Sequence, residues 1–217
     1  MNKQIAVIGL GRFGQSLCLE LMQQGAEVFA IDVDEVLVNE IADQVTQAVV
    51  ADCSNENTVK ELNLSTFDSV FVAIGEDSKA SILTTLILKE TGVKNIWVKT
   101  KDKFHEKIIL KVGADHVINP EHEMGKRVSR HLLTNLFFDY LDMGDGIAIC
   151  EIEISDQQAG QEVQAHFFKK KYQVDLLALK RLNVLHAFRD ESMSLICGDI
   201  IVLGGRHEHI RAVLAKL

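Results

Sequence analysis

The sequence predicts an α/β protein: a doubly wound parallel sheet with helices on both faces, followed by a small α+β unit. Three observations predict it. A glycine-rich turn lies between an apolar run and a helix-forming run at the start of the chain. Short apolar segments then alternate with helical ones as far as Pro120, the order that gives parallel strands joined by right-handed crossovers. Beyond Gly146 the pattern changes to strand-rich segments with two short helices.

The first element is Ile5-Ala6-Val7-Ile8, an apolar β-branched run that reads as a buried parallel strand. Gly9, Gly11 and Gly14 follow as G-x-G-x-x-G, and Gln15 to Gln24 is helical in composition. Each glycine serves a distinct physical need. Gly9 permits the sharp turn, Gly11 the close approach of a phosphate, and Gly14 tight helix–sheet packing. The helix N-terminus then offers free N–H groups and partial positive charge to an anion. Glu27 to Ile31 reads as the second strand. Asp32 stands at its end, 18 positions after Gly14 and near the roughly 20 expected of an acid that holds ribose hydroxyls. The same residue is also suited to capping a helix starting near Glu35.

The remaining segments follow in order. Val36–Asp43 is helix-like, Ala48–Ala51 a strand, Glu56–Leu64 a helix and Ser69–Ile74 a strand. Lys79–Thr91 reads as a helix with leucines and isoleucines all round it, hence buried. Asn95–Lys99 is a strand, Phe104–Val112 a helix stopped by Gly113, and His116–Ile118 the sixth strand. A long helix is expected from Glu121 to about Tyr140, with Leu132, Leu133, Leu136, Phe137 and Tyr140 on one apolar face, packed on the chain's own sheet or on another subunit. Asp142-Met143-Gly144-Asp145-Gly146 reads as a hinge, which sets domains at 1–143 and 147–217. Past it, strands are expected at Ile147–Ile154, Val174–Leu182, Val184–Arg189 and Ile200–Leu203, and helices at Gly160–Lys170 and Glu208–Leu217.

The chain has 217 residues and a net charge of −8. The charge is uneven: 22 Asp and Glu against 14 Lys and Arg up to Gly146, then nine of each. An acidic first part without a basic stripe argues against nucleic acid and against adsorption on an anionic membrane, though not against docking on a membrane protein. No apolar run approaches the roughly 20 residues needed to cross a bilayer. Met1-Asn2-Lys3-Gln4 enters a strand at once, so no signal peptide is expected and the expected location is the cytosol. Cys18, Cys53, Cys150 and Cys197 are scattered, which favours reduced thiols over disulfides or zinc.

In open α/β sheets ligands bind outside the carboxyl ends of the strands, and that rule collects the candidate residues. Arg12 and Phe13 open the first helix, and a guanidinium there suits a terminal phosphate. Val33 and Asp34 adjoin Asp32. Asp52 and Cys53 end the third strand, and Ile74, Gly75 and Glu76 the fourth. Lys99, Thr100 and Lys101 end the fifth, with Lys99 the better phosphate candidate; Lys101 and Lys103 suit solvated loop charges equally well. His105 opens the next helix. Glu121 sits in the first turn of the long helix, where a carboxylate is favoured on dipole grounds alone. His122-Glu123-Met124-Gly125-Lys126 lacks the second histidine of a zinc protease motif. Lys169-Lys170-Lys171 reads as a solvated helix end.

Four stretches together resemble one family. They are Ile8-Gly9-Leu10-Gly11-Arg12-Phe13-Gly14; Val72-Ala73-Ile74-Gly75; Gly113-Ala114-Asp115 with Asn119-Pro120-Glu121; and Cys197-Gly198-Asp199 with Leu203-Gly204-Gly205. The chain resembles the RCK proteins, regulators of potassium conductance, and among them the Ktr/Trk-type cytosolic subunits. The resemblance implies a Rossmann-like nucleotide-binding domain, a small C-terminal domain, and a gating subunit that is not an enzyme. It implies ATP or ADP, and also NAD(H), in the N-terminal cleft, with ATP favouring conduction and ADP closure. It places adenine contacts at Asp52 and Cys53, puts His105 near the nucleotide, and has Glu121 reach Mg2+ or another divalent cation bound with ATP. It implies homodimers assembling into an octameric ring that docks on the cytosolic face of a membrane potassium translocator of the KtrB/TrkH type. In relatives the C-terminal domain binds a cyclic dinucleotide. The competing readings are a small NAD-dependent oxidoreductase, for which no paired acid and base is found, and a dimeric scaffold without ligand.

Overall fold

The computed structural model describes residues 2–134, 140–188 and 192–214. It divides into two compact units, Met1–Glu123 and Met124–Leu217.

The first unit runs β1 (Gln4–Ile8), α1 (Arg12–Gln23), β2 (Glu27–Asp32), α2 (Glu35–Ile41), β3 (Gln47–Val50), α3 (Glu56–Glu61), β4 (Ser69–Val72), α4 (Ser78–Glu90), β5 (Ile96–Lys99), α5 (Lys103–Val112) and β6 (His116–Ile118). α6 (Pro120–Thr134) begins here and runs on into the second unit. The strands form one parallel sheet in the order β3-β2-β1-β4-β5-β6, with Ile8 opposite Ile31 on one side and Val72 on the other. Alternate residues of the strands feed two cores. Ala6, Ile8, Ile31, Val70 and Val72 pack with Val59, Ile87, Leu88 and Ile109 from α3, α4 and α5. Val7, Val28, Ala30 and Phe71 pack with Cys18, Val38 and Ile41 from α1 and α2. Burial on both faces explains why these strands read as continuous apolar runs. The doubly wound sheet is the one the sequence predicts.

One helix is set otherwise than expected. The buried face of α4 carries Ser81, Thr84 and Thr85 beside Ile87 and Leu88, while Leu83 and Leu86 are exposed. Hydroxyl side chains thus share the buried face of α4, and its apolar residues do not all turn inward.

The second unit comprises β7 (Tyr140–Gly144), β8 (Ile147–Glu153), β9 (Glu162–Val163), α7 (Ala165–Tyr172), β10 (Val174–Arg181), β11 (Val184–Ala187), β12 (Met193–Ser194), β13 (Ile200–Arg206) and α8 (His207–Leu214). Five strands form an antiparallel sheet, β11-β10-β13-β8-β7, and β12 pairs with β9. Its core gathers Ile152, Ile154, Leu179, Ile201, Phe168 of α7 and Ile210 of α8. Asp199, 1 % exposed, accepts from Arg181 Nε (2.8 Å), Arg181 Nη2 (2.6 Å) and the Ile196 N–H (2.9 Å). That fork clamps the turn before β13 to the end of β10.

Several expectations are corrected here. Residues 142–146 are the end of β7 and a hairpin turn, with φ of 51° at Asp145 and 76° at Gly146, rather than a hinge. The segment 160–170 does not begin as a helix: Gly160 has φ of 86°, Glu162–Val163 is a strand, and Gln164 stands at the N-cap of α7. The division by contacts falls at Glu123, earlier than the predicted boundary. The helix expected to reach about Tyr140 is described as far as Thr134, and Tyr140 belongs to the strand β7 instead. Of its expected apolar face, Leu136 and Phe137 lie outside the described residues, as do the side chains of Leu133 and Tyr140; Leu132 is exposed. Arg189, expected at the end of the strand from Val184, and residues 215–217, expected in the closing helix, also lie outside them.

Candidate functional site

The sheet order reverses between β1 and β4, and the glycine turn lies at the carboxyl end of that junction. Gly9 has φ of +98°, and a Cβ there would lie 2.9 Å from the Ile74 backbone nitrogen. A Cβ on Gly14 would lie 1.9 Å from the Gly9 carbonyl oxygen, so the first turn of α1 can approach the loop only as glycine. At Gly11 nothing lies within 4 Å of a Cβ. The backbone there opens onto free space, as a phosphate-binding turn requires.

The helix caps single out the same place. α2, α3, α4 and α5 begin with Asp34, Asn55, Asp77 and Asp102, whose side chains accept from N–H groups of the first turn. α6 is held likewise by Asn119, whose Oδ1 accepts from His122 N–H at 3.0 Å. α1 begins at Gly11, which has no side chain to offer, and carries no acidic residue in its first turn. Its unsatisfied N–H groups and its dipole are left for an external anion.

Asp32 is tied into the turn. Its Oδ2 accepts from Leu10 N–H at 2.5 Å and its Oδ1 from Asp34 N–H at 2.9 Å. A carboxylate has about four acceptor sites, so two hydrogen bonds leave room for a ribose diol. The cap of α2 is Asp34, not Asp32, so Asp32 is not spent on holding that helix. Val33 beside it is exposed.

A basic cluster occupies the other side. The Lys99 ammonium, at the end of β5, lies 2.7 Å from Glu121 Oε1 in the first turn of α6. It also lies 5.7 Å from the centre of the Phe13 ring and 3.5 Å from where a Cβ on Gly75 would stand. The hydrogen bond from Lys99 holds the Glu121 carboxyl below its ordinary range, and the positive charge of Arg12 adds to this. Arg12 itself is exposed. Thus Arg12, Phe13, Gly75, Lys99 and Glu121, predicted from separate segments, meet at one edge.

Other predicted residues take different places. Asp52 is turned onto its own loop, accepting from Ser54 N–H at 2.9 Å and Ser54 Oγ at 2.6 Å. Cys53 is buried in the core, and burial together with the charges of Asp52 and Asp32 pushes its thiol up to about 12. Its side chain is a packing element, and only its backbone is available to a ligand. Thr100 is 1 % exposed and donates to the Ile118 carbonyl at 3.2 Å. Glu76 and Lys101 are exposed. His105 is 4 % exposed, and neither ring nitrogen has a hydrogen-bond partner among the described residues. Burial holds its pKa below the ordinary value, against the opposing pull of Asp102 and with a small push from Lys101. The ion pair between Lys99 and Glu121 was not foreseen; no spacing rule links the end of a strand to the start of a helix 22 positions later.

Among the described residues no group of three or more His, Cys, Asp or Glu is placed to hold a metal ion, and no helix is long and apolar enough to cross a membrane.

Known proteins resemble the chain in sequence and fold. Residues 5–120 match the TrkA-N domain family. The chain is 42 % identical over 216 residues to the Ktr system potassium uptake protein A of Vibrio alginolyticus, covering 100 % of this chain and 98 % of that one. It is 45 % identical over 181 residues to the Ktr system potassium uptake protein C of Bacillus subtilis (strain 168), covering 83 % and 82 %. The GsuK channel superposes with a TM-score of 0.72 at 13 % identity, over 98 % of this chain and 39 % of that chain. A GsuK channel bound to NAD superposes with a TM-score of 0.67 at 13 % identity, over the same shares. At such identity these two structures speak for the fold.

Proposed function

We propose that this chain, which belongs to the TrkA-N domain family, is the nucleotide-binding regulatory subunit of a potassium uptake system. The observation that carries the proposal is the uncapped glycine turn at the switch point, with Arg12 and Lys99 beside it, in a chain related along its whole length to Ktr potassium uptake proteins. The crevice takes an adenine nucleotide: Asp32 holds the ribose, the first turn of α1 the phosphates, and Arg12 the terminal phosphate. The chain binds its ligand without transforming it and lies in the cytosol, docked on a membrane potassium translocator.

ATP favours conduction and ADP closure because ATP alone brings a third phosphoryl group to Arg12. Glu121 suits a divalent cation such as Mg2+ in one respect. Its side chain is 67 % exposed and its carboxyl stays ionised beside Lys99. Magnesium needs one or two carboxylates plus phosphate oxygens, so Glu121 would hold it only together with the nucleotide. Bound there, the ion would neutralise charge on the terminal phosphate. α6, which starts at this site and leaves the first unit, carries the difference between the two nucleotides to a partner subunit, in a dimer and ultimately an octameric ring. A ligand shifts a two-state equilibrium only by differential contacts, and Arg12 supplies one.

Calorimetry with ATP, ADP and NADH on the wild-type chain and on Arg12→Ala tests the reading. ATP affinity is expected to fall by about tenfold, the loss of one charge-assisted phosphate contact, with ADP affected less. An equal loss for both nucleotides refutes the role given to Arg12, and no heat with any of the three refutes nucleotide binding.

A further inference from the structure

We propose that Glu121 is a built-in competitor for the ligand's phosphate. Its carboxylate holds the Lys99 ammonium, and a phosphoryl group bound at the turn displaces it. The inference rests on the nucleotide reading above and adds which residue gives way.

The geometry is asymmetric in a way that decides the direction of exchange. The Lys99 side chain is 13 % exposed, and that of Glu121 is 67 % exposed. An ammonium so enclosed is costly without a counter-charge, because desolvation is not repaid by water. An exposed carboxylate gives up its partner at small cost, since ion pairs open to water contribute little. Lys99 therefore stays and Glu121 moves. The surroundings of the ammonium match those of a phosphate ligand. Phe13 belongs to the first turn of α1, whose N–H groups are open, and Gly75 follows β4 at the switch point. With no Cβ at Gly75, a ligand oxygen can reach the ammonium along the backbone. A phosphoryl group brings more acceptor oxygens than the carboxylate it replaces. Glu121 is the second residue of α6. Its release unties the start of that helix from the end of β5, so occupancy of the crevice becomes a change at the origin of the helix that leaves the unit.

Competition has a measurable signature. ADP binding to the full chain, in EDTA so that no divalent cation takes part, is titrated for wild type, Glu121→Gln, Lys99→Met and the double variant. Glu121→Gln is expected to bind ADP about threefold tighter or more, the inverse of its weight as a competitor. Lys99→Met is expected to bind more weakly, and in that background Glu121→Gln is expected to have little effect. Equal tightening in both backgrounds reduces Glu121 to a general repulsive charge and overturns the exchange. Weaker binding by Glu121→Gln in EDTA overturns it too. Additive variants on a wild-type chain that binds ADP refute the exchange alone; absence of ADP binding to wild type refutes the nucleotide reading with it.

Discussion

Gly11 and Gly14 are three residues apart in one motif, and the structure assigns them opposite consequences on substitution by alanine. A Cβ on Gly14 would lie 1.9 Å from the Gly9 carbonyl oxygen and 3.0 Å from its carbon. Both are backbone atoms, so relief requires α1 and the turn to part by more than about 1 Å. Overpacking costs about 1–3 kcal/mol, and more where the backbone itself must move. Against this stands a gain of about 1 kcal/mol from replacing glycine inside a helix. A net loss of about 2 kcal/mol or more follows, which lowers the midpoint of a unit this size by about 10 °C. Gly11 has φ of −62° and nothing within 4 Å of its absent Cβ. Alanine at this N-cap costs less than about 1 kcal/mol, hence a few degrees at most. The new methyl group, however, stands where the proposed phosphate would approach the N–H groups of α1. Nucleotide affinity is expected to fall at least tenfold, about 1.4 kcal/mol. Thermal unfolding by circular dichroism and calorimetric titration read the two effects apart. Gly11→Ala binding ATP, ADP and NADH as tightly as wild type refutes the assignment of the open turn as the phosphate site. Gly14→Ala melting as high as Gly11→Ala refutes the close contact.

Two further outcomes follow from buried polar groups. His105 titrates below its ordinary value in the folded chain because it is buried, so below about pH 6.5 the unfolded chain binds the extra proton. Stability is therefore expected to fall as pH drops from about 6.5, with a slope of up to about 1.4 kcal/mol per pH unit until the folded-state value is reached, and His105→Phe should flatten that slope in denaturant titrations at about pH 7.5 and 5.5. Asp199→Asn leaves Arg181 without its buried counter-charge and is expected to cost about 3 kcal/mol, the low end for a broken buried pair because Arg181 keeps some contact with water. Hydrogen exchange should rise in β10 and β13 and not in the first unit; uniform exchange through both units would contradict that confinement.

The first sheet was legible because several signals agree along it. Residues on both faces of β1, β2 and β4 are buried, so the apolar runs are unbroken, and Asp or Asn caps mark where α2 to α6 begin. Asn119 before Pro120 marks the start of α6 with particular clarity, since proline suits the first helical position. The second unit was less legible because its elements are short and set by backbone conformation. The left-handed residues Asp145 and Gly146 turn an expected hinge into a hairpin. β9 and β12 have two residues each, too few for any periodicity to register. On α4 the pattern misled: Ser81, Thr84 and Thr85 share the buried face with Ile87 and Leu88, so the leucines and isoleucines alone did not mark it.

The site was legible residue by residue and illegible as a constellation. A rule about strand ends collected Asp32, Asp52, Ile74 and Lys99 without saying which face each other. It offered Lys99 to a phosphate, and the family resemblance offered Glu121 to a cation, whereas the structure joins the two to each other. The pairing depends on β5 and α6 meeting in space, which sequence separation does not encode. What the sequence does encode is a contrast among helices. Five helices of the first unit spend a side chain on their own N-terminal donors; the sixth, α1, presents glycine. A chain selected for stability alone gains about 1 kcal/mol by capping α1 with serine or aspartate. An aspartate there would also repel the phosphate by charge, and either side chain would fill the space that Gly11 leaves open. The uncapped helix is thus a forgone stabilisation, and it coincides with the open turn, the Lys99 ammonium and the sheet's switch point. That coincidence at one edge ties the anion site to the function proposed for this family member.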